Sequence, residues 1–229
     1  MQKHTYVDGL SDADLLVKVN DTSLEGKSPH EVLDYFAGRL RERLPDTEII
    51  VGKLAVTVKY ADGSEIQILP AVSTATGIRI SKPNSNEWSN VIRPDSFAKK
   101  LTEVNKNCGG KVVPVIKLFK AVLEKKLPED VRPNGYHAES LAIEAFESYT
   151  GPLNHKDMLT HLCKEASVRI KSPIADHTGQ SIHVDDDFGV AQSDMRNRAS
   201  SFIERLSKAM EKADKQRNRQ FWKELFDNE

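Results

Sequence analysis

The spacing of apolar residues divides the chain into a strand-rich first part and a helix-rich second part. Three β-branched runs before residue 95, LLVKV, TEIIVGKLAVTVKY and EIQILPAV, predict strands. An AspGly turn between the last two predicts a hairpin. The intervening SPHEVLDYFAGRLRERL predicts an amphipathic helix opened by Ser28 and Pro29. These patterns predict an α+β protein, with a mixed β-sheet core over 1–95 packed against a helical lobe over 96–229.

The second part has apolar residues three and four positions apart, which is typical of helices that bury one face. We expect a helix with Asp95 as its N-cap, and then helices over VVPVIKLFKAVLEKKL, GYHAESLAIEAFESY and HKDMLTHLCKEASVRI. The segment from Met195 to Phe226 reads as one long helix.

Composition is that of an ordinary globular protein. The 229 residues are 38% hydrophobic and 29% charged, with a net charge of −1. This charge argues against a globally basic, sequence-specific nucleic-acid-binding protein. The sequence contains no long apolar run and only two cysteines, Cys108 and Cys163, so we expect no membrane span and a reducing, cytoplasmic setting.

Two carboxylates begin the first predicted strand. Asp12 and Asp14 are two residues apart, and alternate strand residues point to the same face, so both face one spot. Oxygen ligands of this kind suit Mg²⁺ in phosphoryl-transfer enzymes. The preceding HTYVDGLS contains a glycine and hydroxyl groups, among them Thr5 and Ser11, that could donate to phosphates. The alternative is that the two acids are solvated turn residues.

Two other groups of potential ligands are weaker. His155, His161 and Cys163 are spaced so that their side chains diverge around a helix, which is unsuited to a compact zinc site. The three consecutive acids 185–187 cannot all face one ion, and we expect them to form a helix-capping, solvated turn.

Five segments follow one another in an order that resembles the cGAS/DncV-like nucleotidyltransferases, the oligonucleotide cyclases of CBASS antiphage systems, which are similar to oligoadenylate synthases. They are SDADLLVKV, ADGSEIQILPAV, VIKLFKAV, GYHAESLAIEAF and IADHTGQSIHVDDDFG. The resemblance covers nearly the whole chain. It implies a nucleotidyltransferase fold with the active site in a cleft between the sheet and the helices, and synthesis of cyclic or linear oligonucleotide messengers from nucleoside triphosphates. It also implies Mg²⁺ or Mn²⁺ as cofactor and CBASS accessory or effector proteins as partners.

The resemblance assigns roles to further residues. Lys120, rather than Lys117 on a neighbouring face of the same helix, is the expected triphosphate contact. Tyr136, at the start of the next helix, is expected near the donor base, where an aromatic ring stacks on any base.

The sequence departs from the family pattern in two places. Met1 falls where the family's GlySer turn would already have begun, so we expect that turn and the helix before it to be absent. Gln67 occupies the position of a third Asp, and an amide cannot serve as the base. Glu65, two residues earlier on the same strand, is the only nearby substitute. The chain is therefore either an active messenger synthase or a weakened, nucleotide-binding relative that acts as a regulatory or assembly subunit. A third hypothesis is that the chain is an unrelated α+β structural module.

Overall fold

The structure of the chain is a computed structural model that describes residues 13–19, 24, 26–82, 85–89, 91, 93–176, 184–185 and 188–226. The described residues form two compact units. The first, over 13–94, contains all the strands and is called the sheet unit; the second, over 95–226, is called the helical unit. The predicted α+β class is confirmed.

The sheet unit is built on five strands in a mixed sheet. They are β1 (Ala13–Val19), β2 (Glu48–Val51), β3 (Val56–Lys59), β4 (Glu65–Ser73) and β5 (Ile78–Ile80). The order is β1-β4-β3-β2, and β5 pairs with the second half of β4. The strand β1 runs parallel to β4, and β3 and β4 form the predicted antiparallel hairpin. The strand β4, which carries Glu65 and Gln67, therefore lies directly beside β1, which carries Asp14.

One helix covers one face of this sheet. Helix α1 (Pro29–Arg43) begins with a capping box in which the Ser28 hydroxyl accepts from the Glu31 backbone N–H and the Glu31 carboxylate accepts from the Ser28 N–H. Its apolar side packs on alternate residues of the strands. The resulting core consists of Leu33, Ala37, Ile49, Val56 and Val58, with Phe36, Leu40, Leu44, Val51 and Ile68 at its edge.

The helical unit contains the larger core. Its helices are α2 (Pro94–Asn107), α3 (Val112–Lys126), α4 (Gly135–Phe146), α5 (His155–Arg169), α6 (Asp194–Lys215) and α7 (Arg219–Phe226). Their apolar stripes bury a contiguous cluster that includes Phe119, Phe146, Leu162 and Ile203. No helix within the described ranges is both long and apolar enough to cross a membrane.

Two predicted helix boundaries are wrong. Helix α2 begins at Pro94, and Asp95 lies in its first turn rather than at the N-cap. The C-terminal segment forms two helices instead of one. The break lies at Arg217, whose φ of 51° is left-handed, and the Asn218 side chain then accepts from the backbone N–H of Phe221. A left-handed residue cannot continue an α-helix, and an asparagine cap starts the next one.

Candidate active site

The pairing of β1 with β4 brings two predicted site residues together. Asp14 lies directly opposite Gln67 in the parallel pair, and Gln67 lies opposite Thr57 in the antiparallel pair on its other side. Residues opposite each other on neighbouring strands occupy the same face of a sheet. Asp14, Gln67 and Thr57 are therefore consecutive positions across three strands. The side chain of Asp14, and the whole of Asp12, Ser11 and Thr5, lie outside the described residues.

The strand alternation separates this row from the core of the sheet unit. Val56 and Val58, which flank Thr57, are buried against α1, and Ile68 packs at the edge of the same cluster. Successive strand residues point to opposite faces, so Thr57 and Gln67 face away from α1. Both are half-buried. The polar row thus lies on the face of the sheet that α1 does not cover.

The predicted substitute for the third carboxylate, Glu65, already has a cation partner. Its Oε1 lies 2.9 Å from Nζ of Lys59, the residue opposite it on β3, and each side chain is 40% exposed. The hydrogen bond to Glu65 and, second, its negative charge raise the pKa of Lys59. Glu65 is two positions from Gln67, about 6–7 Å along the strand.

In the helical unit, Lys120 lies against the first turn of α4. Its Nζ is 2.8 Å from Oε1 of Glu139, and the two side chains are only 15% and 6% exposed. A Cβ atom on Gly135 would lie 3.4 Å from the same Nζ. Lys117, one turn earlier on α3, is half-buried. The structure therefore distinguishes the two lysines, because the ammonium group of Lys120 is held by a buried carboxylate on α4.

Tyr136 lies on the same turn of α4. The Asn134 side chain caps this helix by accepting from the His137 backbone N–H. The Tyr136 hydroxyl donates to Oδ1 of Asp176 at 3.3 Å, and its ring centroid is 4.6 Å from that of Phe97. The structure thus brings Lys120 and Tyr136, both predicted nucleotide contacts, to one helix start.

The two groups of potential metal ligands differ in what the described residues cover. Within the described part of the chain, no three His, Cys, Asp or Glu side chains cluster as metal ligands would, so His155, His161 and Cys163 form no zinc site. Cys163 is fully buried, which raises the pKa of its thiol to about 12. The Asp12 and Asp14 side chains lie outside that part, and the magnesium site stays a prediction. A carboxylate opposite an amide oxygen is a donor set that suits Mg²⁺.

The helical unit contains a buried cluster of charged side chains that the sequence analysis did not predict. Asp185, expected in a solvated turn, is fully buried, and its Oδ2 lies 2.6 Å from Nη1 of the equally buried Arg196. Nε2 of His137 is 3.3 Å from the same oxygen. The solvated-turn prediction is therefore wrong for Asp185, because Arg196 provides an internal counter-charge. A single arginine on the apolar stripe of α6 was the available signal.

Three comparisons relate this chain to known proteins. No family model matches it. Over 152 residues it is 28% identical to a cyclic AMP-AMP-AMP synthase of Acinetobacter sp. (strain ATCC 27244 / 9458), which covers 66% of this chain and 42% of that protein. The chain thus spans less than half the length of this relative.

Two solved structures show the same fold. CdnC of E. coli MS115-1 with ATP superposes with a TM-score of 0.76 at 15% identity, covering 98% of this chain and 80% of CdnC. The E. coli MS115-1 CdnC:HORMA-deltaN complex matches with a TM-score of 0.73 at 16% identity, covering 98% and 79%. The resemblance predicted from the sequence motifs is confirmed: the chain is similar in sequence to a cyclic AMP-AMP-AMP synthase and has the fold of CdnC.

Proposed function

We propose that the chain is a nucleotidyltransferase that joins nucleoside triphosphates into cyclic or linear oligonucleotide messengers in antiphage defence. The observation that carries this proposal is the register of β1 and β4, which puts Asp14 opposite Gln67 on the face of the sheet that α1 leaves uncovered. The similarity to a cyclic AMP-AMP-AMP synthase supports the same reaction class.

In this reaction an acceptor hydroxyl attacks the α-phosphate of a donor triphosphate, and pyrophosphate leaves. Asp12 and Asp14 would hold Mg²⁺ or Mn²⁺, with the amide oxygen of Gln67 as a neutral neighbour. When bound, the metal supplies charge neutralisation at the phosphates. Lys120 would contact the triphosphate, and Tyr136 would stack on the donor base. Fixing the reactants and stabilising negative charge provide most of the catalysis in such a site.

Gln67 favours a second candidate function. An aspartate at this position would accept the proton of the attacking hydroxyl, whereas an amide has no basic oxygen at neutral pH. The chain would then bind nucleotides and turn them over slowly or not at all, as a regulatory or assembly subunit. The CdnC:HORMA-deltaN complex makes a protein partner of the CBASS accessory class reasonable for either function. We place both functions in the cytoplasm, where nucleoside triphosphates are abundant.

Product formation and nucleotide binding, measured on the same protein, separate the two functions. The purified chain is incubated with mixed radiolabelled nucleoside triphosphates and Mg²⁺ or Mn²⁺, and the products are resolved by chromatography. Oligonucleotide products support the synthase. Binding of a nonhydrolysable ATP analogue without any product supports the weakened relative, and failure to bind contradicts both.

The metal assignment is tested by substituting Asp12 and Asp14 together with alanine. We expect the double variant to lose Mg²⁺-dependent binding of the ATP analogue while it keeps its fold, because removing two mutually repelling carboxylates seldom destabilises a protein. Circular dichroism checks the fold, and calorimetry with and without Mg²⁺ checks binding. Unchanged affinity in the double variant contradicts the assignment.

A further inference from the structure

The second turn of α4 carries a buried acid that the proposed reaction has not used. Glu139 is 6% exposed, and its Oε1 lies 2.8 Å from the ammonium group of Lys120. A carboxylate is rarely buried to this extent without a counter-charge, because desolvation of an isolated charge is costly. Lys120 supplies that counter-charge, so the two side chains form one unit.

Gly135, at the start of α4, leaves room beside the helix for the ammonium group. Gly135 and Glu139 are four residues apart and therefore lie on one side of α4. Lys120 Nζ is 3.4 Å from the point where a Cβ of Gly135 would be. The glycine places no side chain between the ammonium group and the helix backbone, and a Cβ at this position would lie in van der Waals contact with the ammonium group. The start of a helix carries partial positive charge, which disfavours a cation, so a nearby carboxylate is needed to hold it.

Lysine is otherwise a poorly fixed phosphate contact. Its four-carbon stem has many rotamers, and fixing such a side chain on binding costs free energy that lowers affinity. The ammonium group has three N–H donors, and Glu139 accepts from one of them. A lysine held in this way has already lost most of its side-chain freedom before a nucleotide arrives.

We propose that Glu139 is a positioning residue that fixes Lys120 against the first turn of α4 for contact with the nucleoside triphosphate. This inference rests on the proposed function, since it takes the triphosphate as the ligand of Lys120. Glu139 acts through Lys120 and touches no reacting atom. It follows that the effect of Glu139 on nucleotide binding requires Lys120.

The test is a double-mutant cycle on the whole chain, with the dissociation constant for a nonhydrolysable ATP analogue in Mg²⁺ measured by calorimetry. Glu139→Ala should weaken binding about three- to tenfold, the cost of fixing one long side chain. In the Lys120→Ala background the same substitution should change the dissociation constant less than about twofold. Glu139→Gln, which still offers an oxygen acceptor but no negative charge, should weaken binding less than Glu139→Ala does.

Glu144→Ala is the matched control. Glu144 lies on the same helix, and its Oε2 forms an ion pair of 2.7 Å with Arg169 on α5. Its removal should leave the dissociation constant unchanged. Thermal unfolding of every variant identifies loss of fold, and the glutamine variant keeps the test valid if the alanine variant unfolds.

Three results would overturn the inference. Equal effects of Glu139→Ala in both backgrounds would show that Glu139 acts independently of Lys120. Tighter binding by the alanine variant would show that the carboxylate competes with phosphate rather than positioning the lysine. If the parent protein binds nucleotide and either of these two results is found, only the positioning role is contradicted. If the parent protein binds no nucleotide, the proposed function is contradicted as well.

Discussion

The sheet unit and the helical unit place their charged pairs in different environments. The Lys59–Glu65 pair of the sheet has both side chains 40% exposed, and Lys82–Glu87 is exposed at 44% and 71%. In the helical unit, Arg196 and Asp185 are completely buried, and Lys120 and Glu139 nearly so. These pairs of the sheet unit remain hydrated, whereas the helical unit also contains buried pairs whose members depend on each other.

This difference determines how substitutions can be interpreted. An exposed pair contributes little to stability, so a change on the uncovered face of the sheet reports mainly on chemistry. Removing one partner of a buried pair leaves the other uncompensated, so a change in the helical unit can alter folding as well as binding. Variants in the helical unit therefore need a stability measurement beside every binding measurement.

The largest expected effect is on stability in the helical unit. Arg196 donates to Asp185 and also to the backbone carbonyls of Ile170, Ser172 and Gly189. Arg196→Ala should lower the free energy of unfolding by about 3–5 kcal/mol, because Asp185 loses its counter-charge and the carbonyls lose their donors. Urea denaturation followed by circular dichroism measures this.

The control for this substitution is Arg198→Ala, two residues along the same helix. Arg198 is 46% exposed and pairs with Asp130 at 2.8 Å. Its loss should cost less than about 1 kcal/mol. Similar losses for the two arginines would contradict the contrast between buried and exposed charge.

Much of the fold could be predicted from local signals. The hairpin of β3 and β4 followed from β-branched runs around an AspGly turn, and α1 from Ser28 and Pro29 before an amphipathic stretch. The buried pair of Asp185 and Arg196 could not be predicted this way, because the partners are brought together by tertiary packing of a loop on α6. The α6–α7 break depends on a left-handed Arg217, a residue type that gives no warning of it.

The candidate site was predictable to a similar extent. The motif order led to the β1–β4 pairing, which places Gln67 opposite Asp14. The partner of Lys120 was not predictable, since Glu139 lies nineteen residues away on another helix and reads as an ordinary helical glutamate. The spacing of residues along α3 does not separate Lys120 from Lys117. Only the family resemblance favours Lys120 as the triphosphate contact.

The second prediction concerns this pair of lysines. Charge-assisted hydrogen bonds to phosphate are worth roughly 1.5–3 kcal/mol, so Lys120→Ala should weaken binding of the ATP analogue by about one to two orders of magnitude. Lys117→Ala should do much less. Calorimetry measures both, with thermal unfolding to detect the loss of the counter-charge to Glu139. Equal effects would mean that the other face of α3 meets the nucleotide.

The third prediction concerns Gln67, the residue that departs from the family pattern. Gln67→Asp places a carboxylate opposite Asp14, where it can accept a proton and ligate a metal. Turnover should rise by about tenfold or more, or become detectable. The gain should stay below the roughly 10²–10⁴-fold that a well-placed general base contributes. The melting temperature of the variant should depend more on Mg²⁺ or Mn²⁺ than that of the parent.

Thr57→Asp is the control for that variant. Thr57 lies opposite Gln67 on β3, on the side away from Asp14. It adds the same charge to the same face one strand farther away, and should raise turnover little. A similar gain from both would show that added negative charge, rather than its position opposite Asp14, is responsible.

The fourth prediction concerns the exposed pair on the sheet. The pKa of Lys59 is raised in the folded chain, by the hydrogen bond to Glu65 first and its charge second. A raised lysine pKa contributes stability that is fully present below the unfolded value of about 10.4 and is lost as pH rises through the folded value. Glu65→Gln should therefore lower the urea midpoint slightly at pH 7, and the difference from the parent should disappear above that range.

The same variant decides whether Glu65 replaces the missing acid. Glu65 is engaged with Lys59, and its position is about 6–7 Å along β4 from Gln67, so its carboxylate is poorly placed to accept a proton beside Asp14. Glu65→Gln should leave turnover within about twofold of the parent, since removal of the proton acceptor of the reaction would cost roughly 10²–10⁴-fold. A loss on that scale, measured with Gln67→Asp beside it, would show that Glu65 serves as the base. In that case the catalytic base would be a carboxylate two residues from Gln67, the position at which the family has its third Asp.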